Sequence, residues 1–279
     1  MTTLFTWPSD YKKTVRLFNF TVAFGNFASV AGLTAYSHQG FFSRYWADDY
    51  CFSAIYCQQG LIGGLGTFYN TISNRYAAYL FVAISELFGN KTIWLLPAIM
   101  IVGMALGLSS TKRVIFLRIG LPINRLSAFL IGQMTLFFTL LEAPNLFQSL
   151  YWRSGMASYF APLLILIMMS GLTILHLDKR PRWWLWVLFP SLAFLAAGAS
   201  ETYAAVQTGV IAISLLGLII YPNTRNNKII SWILLVALAA SLLAMLVMTL
   251  APGNQLRLGI LAQAPNIWTV IRLSFKHAL

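Results

Sequence analysis

Seven apolar runs, most of them close to the length of a membrane-crossing helix, constrain this chain more than any other feature. They cover residues 15–36, 92–110, 126–141, 159–177, 183–198, 203–221 and 229–250. A helix crossing the hydrocarbon core needs about 20 mostly apolar residues, because no water is present there to satisfy backbone N–H and C=O groups. Only 9% of the 279 residues are charged and 58% are hydrophobic, whereas an ordinary soluble domain is about 25% charged. So few charges cannot coat a water-soluble globule, and such high hydrophobicity excludes intrinsic disorder. The expected fold class is all-α: a polytopic transmembrane helix bundle of about seven spans. It forms a single transmembrane domain over residues 1–279, with no soluble domain.

The net charge of +12 would point to nucleic acid in a soluble protein. Here the cations sit in short clusters between apolar runs, so nucleic acid is discounted and a lipid bilayer is the expected partner. Residues 75–89 decide the topology. They are apolar on balance but only about fifteen residues long, and they carry Arg75 and Glu86. If they do not span and the N-terminus is inside, 12 of the 19 basic residues fall inside, in clusters around Lys12, Lys112, Lys179 and Lys228. If they span, three of those clusters face outside, against the positive-inside rule. The expectation is a multi-pass protein of the cell's inner (plasma) membrane with a cytoplasmic N-terminus. Residues 37–91 form its external loop, with helices lying along the membrane surface. Five of the seven acids, Asp48, Asp49, Glu86, Glu142 and Glu201, then lie on the outer side.

The final stretch, 266–279, opens a new apolar segment but carries Arg272, Lys276 and His277 and stops. It lies on the outer surface, or the chain is the N-terminal portion of a longer protein; the second is preferred. Cys51 and Cys57 are two free thiols, or one small bridge if their loop faces an oxidising compartment.

Four outer clusters hold chemistry-bearing residues. The first contains Asp48 and Asp49. A carboxylate there serves as general base or as ligand to a divalent cation. Neighbouring residues point in different directions, so one of the two faces a site, and Asp49 is preferred. The alternative is a helix-start acid favoured by the dipole. The second contains Glu142, Trp152, Arg153 and Tyr159. Its rings suit stacking on a sugar and its guanidinium suits a phosphate; equally, it reads as an interfacial aromatic belt. The third contains Glu201, a site residue or a helix cap, the cap being preferred. The fourth contains Asn254 and Arg257, donors to an anionic headgroup or part of a plain turn after Pro252-Gly253.

The order of these features resembles the GT-C superfamily of integral-membrane glycosyltransferases, which use polyprenyl-phosphate sugars. A first span leads to an external acidic motif, Ala47-Asp48-Asp49-Tyr50. A short amphipathic helix follows, ending Glu86-Leu-Phe-Gly89, and then a second span begins near Trp94. Together with Tyr151-Trp-Arg-Ser-Gly155, Gly198-Ala-Ser-Glu201 and Ala251-Pro-Gly-Asn254, the set is also similar to a bacterial multi-pass family placed near those enzymes. The superfamily motif is often Asp-Glu or Glu-X-Asp, and here it is Asp-Asp. The resemblance implies transfer of a sugar from a polyprenyl-phosphate donor to a glycan, lipid or protein acceptor at the outer face. Asp49 or Asp48 would act as base or as ligand to Mg or Mn. Arg153 and Arg257 would face the leaving phosphate, Glu142 and Glu201 would contact sugar or acceptor, and Trp152 and Tyr159 would stack on the sugar. The rival classes are a transporter or flippase, and a non-catalytic membrane subunit.

Overall fold

A computed structural model describes residues 11–89, 92–177, 181–220 and 225–260, with positions 266, 268–269, 272–273 and 276. All seven apolar runs are helical. They form α1 (Tyr11–Gln39), α4 (Leu96–Arg118), α5 (Arg125–Leu141), α7 (Phe160–His176), α8 (Leu185–Ala197), α9 (Glu201–Ile220) and α10 (Arg225–Thr249). Between them lie α2 (Asp48–Thr67), α3 (Tyr76–Leu87) and the six-residue α6 (Arg153–Ser158), and α11 (Pro252–Ile260) follows the last. Among the described residues there is no strand. The stretch 266–279 and the basic pair Lys179 and Arg180 lie largely or wholly outside the described residues.

Five stretches are long and apolar enough to cross a membrane: Lys13–Phe42, Leu96–Arg118, Arg153–His176, Glu201–Ile220 and Lys228–Thr249. The chain is therefore a multi-pass membrane protein. Two expected spans come out shorter, α5 at 17 residues and α8 at 13. At 1.5 Å per residue they measure about 26 and about 20 Å, below the roughly 30 Å hydrocarbon core. Exposed Phe18, Phe20, Phe24 and Phe27 on α1, and Ile213, Leu216, Ile219 and Ile220 on α9, would be a liability in water and suit lipid.

The bundle has two halves. In one, α4 packs against α1, α5 and α7 around Leu33, Ile101, Met104, Leu136 and Phe160. In the other, α8, α9 and α10 pack together and against α7 around Met169, Phe189, Ile211 and Ile233. Lipid offers no hydrophobic drive between helices, so small residues and polar links take over. Gln207, fully buried, donates to Ala193 O and Ser241 Oγ, both at 2.8 Å. Tyr203 donates to Pro162 O at 2.6 Å and to Gln207 Oε1 at 2.9 Å. One connected set of hydrogen bonds thus ties α7, α8, α9 and α10. In the first half, Asn26, an interruption in the first apolar run, donates to Leu126 O at 3.1 Å and joins α1 to α5.

α2, α3 and α6 cap one end of this bundle, with their own core of Phe52, Tyr56, Phe68, Tyr79 and Val82. At 12 residues, α3 is too short to cross; it packs on α2, α6 and α8.

Gly132 generates a test. A Cβ there would fall 2.6 and 2.7 Å from the backbone N and Cα of Ser109, so α4 and α5 approach this closely only without a side chain. Gly209 on α9 has open space at the same position. Gly132→Leu should lower the melting temperature in detergent, at a cost of about 1–3 kcal/mol, while Gly209→Leu should leave it unchanged. Equal melting of the two variants would refute the close approach.

Candidate functional site

The cap is built around the start of α2. Ala47, just before it, has φ 48° and ψ −116°, costly for a residue with a Cβ. The Asp49 N–H donates to Trp46 O at 3.0 Å, and Asp49 Oδ2 accepts from the Trp46 N–H at 3.3 Å. This tight turn sends the two acids apart. Asp49 is 0% exposed, whereas Asp48 is exposed and lines a cavity.

What buries Asp49 is Arg153, itself 1% exposed. Residues Phe147–Tyr151 form a π-helical turn closed by the Trp152 N–H on Phe147 O at 2.8 Å. A Cβ on Gly155 would collide with the carbonyl oxygen of Gln148, so only glycine lets this turn fold so tightly against α6. From the first residue of α6, Arg153 Nε reaches Asp49 Oδ1 at 3.4 Å and Nη2 reaches the Asp49 carbonyl at 3.3 Å. Its Nη1 pairs with Glu86 Oε1 at the end of α3. The guanidinium carbon lies 4.8 Å from the centroid of the Tyr45 ring.

Two carboxylates share one guanidinium, so hydroxyl donors carry the rest. Ser154 donates to Asp49 Oδ1 at 2.6 Å. Tyr45 donates to both Glu86 oxygens, at 2.7 and 2.9 Å, and Ser53 to Oε2 at 3.1 Å. Burial raises the Tyr45 pKa above its ordinary value, and the Glu86 carboxylate adds to this against the opposing effects of Ser53 and Arg153. Its hydroxyl therefore keeps its proton and donates.

Beside this network lies a cavity of about 150 Å³, lined among others by Asp48, Arg75, Tyr79, Trp152, Ser154 and Tyr159. Arg75 Nε pairs with Glu201 Oε2 at 3.0 Å, both partly exposed. The indole N–H of Trp152 is buried with no hydrogen-bond partner among the described residues.

Of the residues singled out in the sequence, Asp48, Trp152 and Tyr159 line this cavity, and Asp49 and Arg153 lie directly behind it. Arg153 differs from expectation: nearly buried and committed to two acids, it is not open to a phosphate. Asp49, preferred as the acid facing a site, is held by Arg153 and Ser154. Glu201 enters only through Arg75. Glu142 is exposed at the end of α5 and lines none of this cavity. Asn254 is half-buried on α11, which packs on the turn Phe68–Ile72; Arg257 is on the same helix, its side chain outside the described residues. Sequence reasoning gave no site role to Arg75, Glu86, Tyr45, Ser53 or Ser154. Glu86 carried a signal, a carboxylate inside a short apolar helix.

The acid pair does not fit a protein-held divalent cation. Such ions take several oxygen ligands. Asp49 and Glu86 are held by Arg153, which leaves Asp48 as the open carboxylate of the cavity. Among the described residues no three His, Cys, Asp or Glu side chains converge. Cys51 and Cys57 are both free and exposed.

Removing Arg153 should be far worse than neutralising Asp49. Arg153→Leu strands two acids without their cation, and breaking a buried pair in this way costs about 3–5 kcal/mol. Asp49→Asn leaves the Glu86–Arg153 pair charge-balanced. Melting curves in detergent should show a large drop for the first and a smaller one for the second; the reverse order would refute the network's central role.

In comparisons with known proteins, no family model, no curated protein and no solved structure matches this chain.

Proposed function

We propose that this protein is a membrane glycosyltransferase of the GT-C type, moving a sugar from a polyprenyl-phosphate donor to a hydroxyl of a glycan, lipid or protein. The observation that carries the reading is an open carboxylate, Asp48, and a partly exposed cation, Arg75, lining one cavity with the rings of Trp152 and Tyr159. At about 150 Å³ the cavity is smaller than a drug-sized pocket of about 300 Å³ or more, and it suits one sugar ring.

In this reading Asp48 takes the proton of the acceptor hydroxyl. The acceptor oxygen forms its bond to the anomeric carbon, and the bond from that carbon to the phosphate oxygen breaks. The electron pair leaves with polyprenyl phosphate. Charge grows on that phosphate, and Arg75, held in place by Glu201, is the cation that meets it. Trp152 and Tyr159 stack on the sugar. Arg153 positions Asp49 and the helix start that carries Asp48. No step is routed through a metal.

The topology belongs to the same proposal. Counting α5 and α8 as short spans makes seven, with the N-terminus cytoplasmic in the inner (plasma) membrane and the cap outside. The distribution of basic residues supports this, and so does the position of the described acids, all in the cap or at helix ends beside it. The same distribution disfavours a transporter, whose ionisable groups line a path through the membrane.

Asp48→Asn should cut sugar transfer from a polyprenyl-phosphate donor by about 100-fold or more, with unchanged yield and melting temperature. Full activity in that variant would remove Asp48 from the chemistry. Solute movement in sealed vesicles without any transfer would favour the conduit. An impermeant thiol reagent should label Cys51 and Cys57 in intact cells; labelling only after lysis would put the cap inside.

A further inference from the structure

A second, larger cavity of about 590 Å³ lies on the same cap. Its walls include Phe41, Arg44, Tyr45, Tyr50, Ile93 and Trp94. They come from the end of the first candidate span, the start of α2 and the turn that opens α4, so the cavity lies where two candidate spans reach the membrane boundary. Phe41 and Trp94 stack at 4.6 Å, and Tyr45 and Tyr50 meet edge-on at 5.7 Å. Among the described lining residues Arg44 is the single charged side chain. Its Nη1 donates to the carbonyls of Phe41 and Ser43, at 2.7 and 2.8 Å, which fixes the guanidinium. Its Nε and Nη2 have no partner among the described residues, and that edge matches two oxygens of one oxyanion.

From Leu95, next to Trp94, the exposed apolar residues Leu95, Ile99, Val102 and Leu106 repeat at helical spacing along one face of α4. A fixed cation in an aromatic cavity at the membrane boundary, continuous with an apolar stripe, complements an amphiphile with an anionic head and an apolar tail. We infer that this cavity holds the phosphate headgroup of an anionic phospholipid, with the lipid's tails lying along α4. The site is separate from the Asp48 cavity. Glu86 lies behind Tyr45, whose hydroxyl donates to both of its oxygens, and it pairs with Arg153.

The test is native mass spectrometry of the full chain in detergent, titrated with phosphatidylglycerol and, separately, with zwitterionic phosphatidylcholine. Phosphatidylglycerol should be retained more tightly, and Arg44→Gln should weaken it about tenfold, to the level of phosphatidylcholine. Arg44 is exposed, so its loss opens no void. Tyr50→Asp, at a residue 62% exposed, places an acid in the cavity and should weaken retention similarly without lowering the melting temperature. Equal retention of both lipids, or unchanged retention in both variants, would overturn the inference. So would displacement by glycerol phosphate at similar concentration, which would make this a site for soluble phosphate esters. Asp48→Asn should leave lipid retention intact while removing transfer, so the two readings fail separately.

Discussion

The cap depends on one buried charge cluster. Arg153 sits between Asp49 and Glu86, 104 and 67 residues away in sequence, and joins the starts of α2 and α6 to the end of α3. An uncompensated ion in a low-dielectric interior is costly. Neither acid is therefore stable at its position without Arg153, and the three segments come together around that cation. Replacing such a cluster by apolar groups often stabilises a protein, so stability is a weak reason for its presence. What it supplies is register. Fixing the first turn of α2 against α6 sets where Asp48 stands relative to Trp152.

Three tyrosines attach this cap to the bundle in the same way. Tyr151 donates to Tyr36 O, Tyr76 to Phe194 O and Tyr69 to Val247 O, each at 2.8 Å. All three acceptors lie in the last turn of a helix, of α1, α8 and α10 respectively, and Phe194 O also accepts from the Gly198 N–H at 3.1 Å. Burial pushes the Tyr151 hydroxyl up to about 12, so it remains a donor at any physiological pH. The end of α8 is held against the start of α3, by the Tyr76 hydroxyl on Phe194 O and by the Ala77 N–H on the carbonyl of Gly198 at 3.1 Å.

The helical runs were legible because the signal is local: about 20 apolar residues in a row leave few options for the backbone. Their lengths were less legible, since α8 ends at a contact with Tyr76, more than 100 residues earlier, and no property of its own sequence records that contact. The candidate site divides the same way. Asp48 and Trp152 stood out by residue type and by position outside the apolar runs, and Tyr159 as a ring at the start of one. The choice between Asp48 and Asp49 did not. It depends on where Arg153 sits and on the backbone of Ala47, and neither has a sequence signature. Arg75 had no role from the sequence and Glu201 read as a site contact or a helix cap, and the fold brings the two to 3.0 Å.

The split between two adjacent acids has a physical logic of its own. A lone carboxylate at a helix start is free to rotate and to be screened by solvent. Here the positive φ of Ala47 and the return bonds between Trp46 and Asp49 hold the first turn, and the ion cluster behind locks it. Asp48 then projects from a backbone it does not itself have to stabilise. Its carboxylate is left to solvent and cavity, because its neighbour satisfies the structural demand for a charge. A chain with a single acid at this position would have to use it for one purpose or the other. The pair lets one carboxylate hold the scaffold while the other stays open, and preorganisation of this kind is what the proposed base at Asp48 would use.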